Sequence, residues 1–301
     1  MMAATSERTN ATRRVGDHAI VIGASMAGLL AARALCDFYE QVTIFERDEL
    51  PPAGEGRKAV PQGRHLHALL ASGQRSIEQL LPGFSDELLA AGALSCQSLS
   101  DIRLVLAGHE LSRAAAGADV LLAGRPLIEG HVRRRVLELA NVSVRERCDV
   151  LGLLTSSDGE RVTGVPVRSR DGEGAEELVD ADLVIAASGR AGRVPAWLEE
   201  LGYARPGEDR LQVDLRYVSR RVRLRPGALG NDKLVLIGAR PGRTRSGRRR
   251  PGGRPRRQLR RDHRFNAAQE DVALAAPRPD PSRRASRAAR DGDRVWRTRA
   301  H

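Results

Sequence analysis

Gly23, Ser25 and Gly28, followed by an acid at Glu46, have the types and spacing to hold a dinucleotide. Gly23 permits a tight turn out of a strand, and Gly28 lets a following helix pack closely on the sheet. Ser25 stands where a glycine is usual. It is small enough to leave room for a pyrophosphate, and its hydroxyl can donate to one. With Met26 and Ala27 it would present backbone N–H groups, at the positive end of a helix dipole, to the phosphates. Glu46 follows Gly28 by 18 residues, close to the roughly 20 expected of an acid that takes a ribose hydroxyl. The plainer alternative is an ordinary α/β turn without a ligand.

The surrounding elements must position these groups. Ala19–Gly23 is a short apolar run ending in glycine, as in a strand buried on both faces. Leu29 to Leu35 is rich in helix formers. Val42–Phe45 supplies a second strand, which Glu46 terminates. Together they make a βαβ unit. After a Pro/Gly loop, Arg57, Lys58, Arg64, His65 and His67 return cationic and titratable groups toward the nucleotide. Two histidines at i, i+2 without a nearby carboxylate make a poor metal site, so no metal is expected. The pattern predicts helices over Leu66–Leu81, Asp86–Ala91, Arg125–Leu139 and Trp197–Leu201, with Arg133, Arg134 and Arg135 on a solvated face. It predicts strands at Ile102–Leu106 and Leu183–Ala187, the latter buried, and at Leu211–Leu224 and Leu234–Gly238. Between about 143 and 182 it predicts an antiparallel meander, punctuated by turns at Asp158-Gly159 and Asp171-Gly172.

Composition bounds the remainder. The 301 residues carry a formal charge of +12, but residues 240–301 hold 20 arginines against six acids, which leaves the first 239 residues at −2. Cys36, Cys96 and Cys148 form no CxxC pair, which suits a reducing cytoplasm and argues against zinc or a disulfide framework. Arg13-Arg14 superficially resembles an export signal, but Asp17 and His18 interrupt the apolar segment that such a signal needs. No apolar run reaches the roughly 18 residues of a membrane span. The chain is therefore expected to be soluble and cytoplasmic.

Taken together, GASMAGLLAARAL, VTIFERDEL, VPQGRHLHALL, RPLIEGHVRRRVL, CDVLGL and ADLVIAASGRAGRVPAWLEELGY resemble FAD-dependent monooxygenases. The nearest branch is the actinobacterial epoxidase- and hydroxylase-like flavoproteins of the aromatic-hydroxylase superfamily. The resemblance implies an α/β fold: a three-layer, Rossmann-like FAD-binding domain over 18–200, with the meander inserted, and the start of a β-rich substrate domain over 201–239. It implies that Gly23, Ser25, Met26, Ala27 and Gly28 cradle the FAD pyrophosphate, with Glu46 on the adenosine ribose and Arg47 beside the adenine. Arg64 and Arg125 would lie near the ribityl chain or flavin and Val150 near the adenine, while Ser188 and Gly189 would close the site. Ala186 departs from relatives, which commonly have Asp there.

The implied activity is hydroxylation or epoxidation of a hydrophobic small molecule or secondary metabolite, using NAD(P)H and O₂. A prenyl reductase, a halogenase and a non-catalytic fragment are the alternatives. The flavin carries the chemistry in such enzymes, so no catalytic side chain is assigned, and a single fingerprint argues against a separate nicotinamide domain. From Arg240 onward the resemblance stops: apolar periodicity gives way to arginine, and the family's later Gly-Asp-Ala flavin loop is not found. A frameshift or truncation near 239–243 accounts for that step, and weak FAD retention would result. Residues 1–17 and 240–301 are expected to be disordered. Nucleic-acid binding by the basic tail is the less favoured reading, since Phe265 and Trp296 are its only aromatics.

Overall fold

The computed structural model describes residues 14–238 apart from 59, 98, 116, 118, 173, 206, 210–217 and 220–223, together with short strands at 271–274 and 296–297. The chain divides into two units. The first comprises Met1–Arg57, Ser76–Phe84 and Pro126–Glu208; the second comprises Lys58–Arg75, Ser85–Arg125 and Asp209–His301. No helix among the described residues is long and apolar enough to cross a membrane.

The first unit is built on a parallel sheet. Strands β1 (Gly16–Ile22) and β2 (Tyr39–Phe45) flank helix α1 (Met26–Leu35) in sequence and pair in parallel, Ala19 opposite Val42 and Ile22 opposite Phe45. Ala19, Ile20 and Val21 are fully buried, because both faces of this strand are covered. That is why its apolar run is continuous instead of alternating. Two further strands, Val142–Arg145 (β8) and Leu183–Ala186 (β13), complete the order β13-β1-β2-β8. Val142–Arg145 was expected to open the meander. It is instead a parallel strand beside β2, Val142 opposite Val42. Strand β13 was expected to be buried, yet it is only half-buried, because it forms an edge of this sheet among the described strands.

The antiparallel meander is real but begins later. It consists of β9 (Cys148–Val150), β10 (Leu154–Thr155), β11 (Val162–Ser169) and β12 (Glu176–Asp180), with β11 pairing all three others. Its inner face supplies Cys148, Val165 and Val167 to a core shared with Ile20, Ile22, Phe45 and Trp197. Burial raises the Cys148 thiol above its ordinary value, an effect that nearby Arg145 partly offsets. Trp197 comes from helix α5 (Val194–Glu200), close to its expected place. Helix α4 (Arg125–Leu137) also agrees with expectation, but one part of its face does not. Arg133 is buried, and its guanidinium donates to the Pro51 carbonyl. A run of three arginines cannot all face solvent on a helix that packs against a loop.

Among its described residues the second unit holds three sheets, two of them with three or four strands. One joins β3 (Ala68–Leu69), β4 (Leu94–Gln97) and β7 (Asp119–Leu122) in the order β3-β7-β4. The other joins β5 (Ile102–Leu106), β6 (His109–Glu110), β15 (Leu234–Ile237) and β16 (Asp271–Leu274) in the order β16-β15-β5-β6. Cys96, Val120, Leu122 and Leu234 form its buried core. The helix expected over Leu66–Leu81 is shorter, α2 at Ala71–Leu80, because residues 68–69 are drawn into a strand. Helix α3 runs Phe84–Ala90. Strand β14 (Val218–Ser219) pairs with β17 (Trp296–Arg297). The remainder of the strand expected over 211–224 lies largely outside the described residues, as do residues 1–13 and the rest of the arginine-rich tail.

Asp232 ties this second unit together. Its buried carboxylate accepts from Arg103 Nε on β5 at 2.6 Å and from Arg113 at 2.5 Å. Burial acts to raise its pKa, but the two guanidiniums outweigh this and hold it below the ordinary carboxylate range. A depressed pKa contributes stability that is present above the unfolded-state value of about 4 and is lost as pH falls through the folded one. Acid titration of thermal unfolding is therefore expected to show a loss below about pH 4. Asp232→Asn should remove that component and cost about 1.5 kcal/mol at neutral pH, at the low end for charged hydrogen bonds because both arginines are partly solvated.

Candidate cofactor site

The turn after β1 sits where three parallel strands end together. The Gly23 N–H donates to the Phe45 carbonyl at the end of β2 (2.8 Å), and the Ala187 N–H, just past β13, donates to Ile22 (2.9 Å). In an open parallel sheet the crevice beyond the carboxyl ends of the strands is where ligands bind. Gly23 adopts φ +102°, and a Cβ there would lie 2.8 Å from the Ala187 carbonyl oxygen and 3.3 Å from Ser188 Cα. Gly28 is more constrained still. A Cβ at that position would stand 1.7 Å from the Gly23 carbonyl oxygen, a separation no side chain can occupy. The two glycines thus serve the close turn and the close helix.

Ser25 is the N-cap of α1, in extended conformation, and its side chain makes no capping hydrogen bond. The helix has no acid in its first turn, so no carboxylate competes with a phosphate for the N–H groups of Met26, Ala27 and Gly28. Leu29 is the first residue to close an intrahelical bond, to Ser25 (2.9 Å). A cradle of small residues, helix-start amides without intrahelical partners and positive dipole fits a pyrophosphate.

Glu46 is anchored beside that cradle. Only 4% of it is exposed. Its Oε2 accepts from the Ala24 N–H (2.8 Å) and from Arg57 Nη2 (2.7 Å), while Oε1 accepts from the Asp48 N–H (3.0 Å). A carboxylate has about four acceptor positions. The three donors leave one, on Oε1, for a ribose hydroxyl.

Arg57 is the side chain whose role the sequence left undefined. It donates through Nη1 to the Ala24 carbonyl (2.9 Å) and lies 3.5 Å from Glu129 Oε1 on α4. The Arg57, Glu46 and Glu129 side chains are 7%, 6% and 5% exposed. A basic residue in a Pro/Gly loop and an acid within a helix carry no motif of their own. The one available signal was Glu129 lying toward the apolar face marked by Ile128 and Val132.

The other residues expected at the site are spread over both units. Ser188 precedes a single 3₁₀ turn at Gly189–Ala191, with Gly189 at φ +69°, and it packs against Gly23. Val150 pairs with Val167 and packs on the core containing Phe45 and Trp197. Arg47 lines a polar cavity of about 240 Å³ with Asp48, Glu49, Arg147 and Arg170. Arg64 and Arg125 belong to the second unit. There Arg64 ends the 3₁₀ turn Pro61–Arg64, and the Arg125 stem lies against Gly63. His65 Nδ1 pairs with Ser219 Oγ at 2.8 Å.

No known family model matches the chain. Protein Rv3254 of Mycobacterium tuberculosis is 44% identical over 243 residues, which span 76% of this chain and 50% of that protein. PqsL from Pseudomonas aeruginosa, described as a probable FAD-dependent monooxygenase, superposes with a TM-score of 0.54 at 15% identity, covering 73% of this chain and 54% of PqsL. PqsL in complex with 2-aminobenzoylacetate gives a TM-score of 0.55 at 16% identity over the same shares. The likeness to PqsL is one of fold. The chain spans about half the length of these relatives.

Substitution at the turn is the direct check on its geometry. Gly28→Ala should destabilise the first unit by about 3 kcal/mol or more, since backbone must shift to admit the methyl. Denaturant unfolding measures it. A cost below about 1 kcal/mol would mean that the turn is not closed in this way.

Proposed function

We propose that this chain binds FAD and belongs to a monooxygenase that hydroxylates or epoxidises a hydrophobic small molecule with NAD(P)H and O₂. One observation carries the reading. A turn of small residues at the ends of three parallel strands has a buried, pre-oriented acid beside it, on a fold shared with PqsL, a probable FAD-dependent monooxygenase. The amides of Met26, Ala27 and Gly28 would take the pyrophosphate, with Ser25 donating beside them. Glu46 Oε1 would take one ribose hydroxyl, and Arg47 would lie toward the adenine. Bound FAD would supply hydride acceptance from NAD(P)H and activation of O₂ for transfer of one oxygen atom to an alkene or electron-rich ring. The protein would supply binding, orientation and exclusion of water.

A second reading is favoured by the compositional step at 239–243: a chain that binds flavin weakly and turns nothing over. Translating the coding DNA beyond codon 239 in the other two frames bears on it directly. A restored Gly-Asp-Ala-like segment would support the frameshift, and its absence from both frames would remove it.

The proposal is tested with purified full chain. FAD titration followed by flavin fluorescence is expected to show saturable binding, weakened about tenfold or more by Glu46→Ala. Consumption of NADH or NADPH that depends on O₂ and rises with added aromatic or alkene substrate is expected of a monooxygenase. Alkene saturation without O₂ would favour a reductase. A parent chain that does not bind FAD would end the proposal.

A further inference from the structure

Helix α4 buries two charged residues one turn apart, Glu129 and Arg133, and neither belongs to the dinucleotide fingerprint. Both clasp the loop between Glu46 and Arg57. Arg133 donates to the Pro51 carbonyl, and Glu129 stands 3.5 Å from Arg57 Nη1. Between them Gly130 lets the helix approach the loop closely, since a Cβ there would lie 3.0 Å from the Gly54 nitrogen. The result is a buried cluster of two guanidiniums, Arg57 and Arg133, against two carboxylates, Glu46 and Glu129.

In that cluster Glu129 places its negative charge beside both guanidiniums. Arg57 and Arg133 repel each other, and burial already lowers the Arg133 pKa, with Glu129 acting in the opposite sense. Without the Glu129 charge the two buried cations would keep only Glu46, paired with Arg57, and the weaker influence of Glu146 on Arg133. Arg133 is fixed by its helix and by Pro51, whereas Arg57 lies in a loop and its buried Nε has no hydrogen-bond partner among the described residues. Arg57 is therefore the group that would move, and it holds Glu46 Oε2.

We propose that Glu129 is a positioning residue for the nucleotide site: it fixes Arg57, which in turn holds the Glu46 carboxylate with one acceptor position on Oε1 open to a ribose hydroxyl. This rests on the flavin reading for its purpose, but the latch is a property of the chain alone. The chain of contacts is Glu129 to Arg57, Arg57 to Glu46, and Glu46 to the Ala24 N–H at the head of the phosphate turn.

The test measures amide hydrogen exchange at Ala24 in the full chain, with the Val21 amide on β1 as internal reference, alongside FAD titration. Glu129→Gln keeps the shape and removes the charge. It is expected to speed Ala24 exchange about tenfold, leave Val21 within about twofold, and raise the FAD dissociation constant about tenfold. Glu129→Asp keeps the charge and should hold Ala24 exchange within about threefold of the parent, which gives a second measurement if the glutamine variant does not fold. Unchanged Ala24 exchange in Glu129→Gln, or equal acceleration at Ala24 and Val21, would overturn the latch. Equal acceleration would mean general destabilisation only. If the latch responds as expected while the parent fails to bind FAD, the latch stands and the flavin reading falls.

Discussion

A single guanidinium holds the candidate site together. Arg57 touches the carboxylate that ends β2, the Ala24 carbonyl in the turn after β1, and a carboxylate on α4. Burying a charge is costly unless it is paired and hydrogen-bonded, so these four groups must be assembled together or not at all. That requirement couples three segments far apart in sequence: the βαβ unit, the Pro/Gly loop and the fourth helix. A buried ion cluster of this kind is weak evidence for stability by itself. Its consequence here is geometric, since it fixes where a carboxylate points beside the amides at the start of α1.

The second constraint is steric. Gly23 and Gly28 leave no space between the strand end, the helix and the Ala187–Ser188 backbone. Packing of this density allows a ligand to reach main-chain N–H groups directly. The middle position is Ser25, a small residue at the N-cap position whose side chain makes no capping hydrogen bond. The electrostatics and the sterics therefore converge on the same few residues, although they arise from different elements.

The βαβ unit was legible because its apolar run, small-residue turn and terminal acid are consecutive and obey local rules. Helices α3, α4 and α5 and strands β5 and β15 were legible for the same reason. Other features were not. The 142–145 segment has a strand's composition in either setting, and only its partner decides that it joins the parallel sheet next to β2. Residues 68–69 could continue a helix, but pairing with Leu121 and Leu122 draws them into a strand. Arg133 reads as a surface residue until the loop at Pro51 is packed over it.

By itself the sequence determined that a strand–turn–helix–strand elbow lies near the amino end, that Glu46 terminates it, and that charge and composition change sharply near residue 239. These are local properties, set by glycine's conformational freedom, by helix and strand propensity, and by spacing along the chain. Only the tertiary structure decided that Arg57 and Glu129 share the Glu46 carboxylate's surroundings, that Ser188 meets Gly23, and that Arg133 is buried. Each depends on elements separated by tens of residues, and the cost of burying charge binds them into one arrangement that no short window of sequence contains.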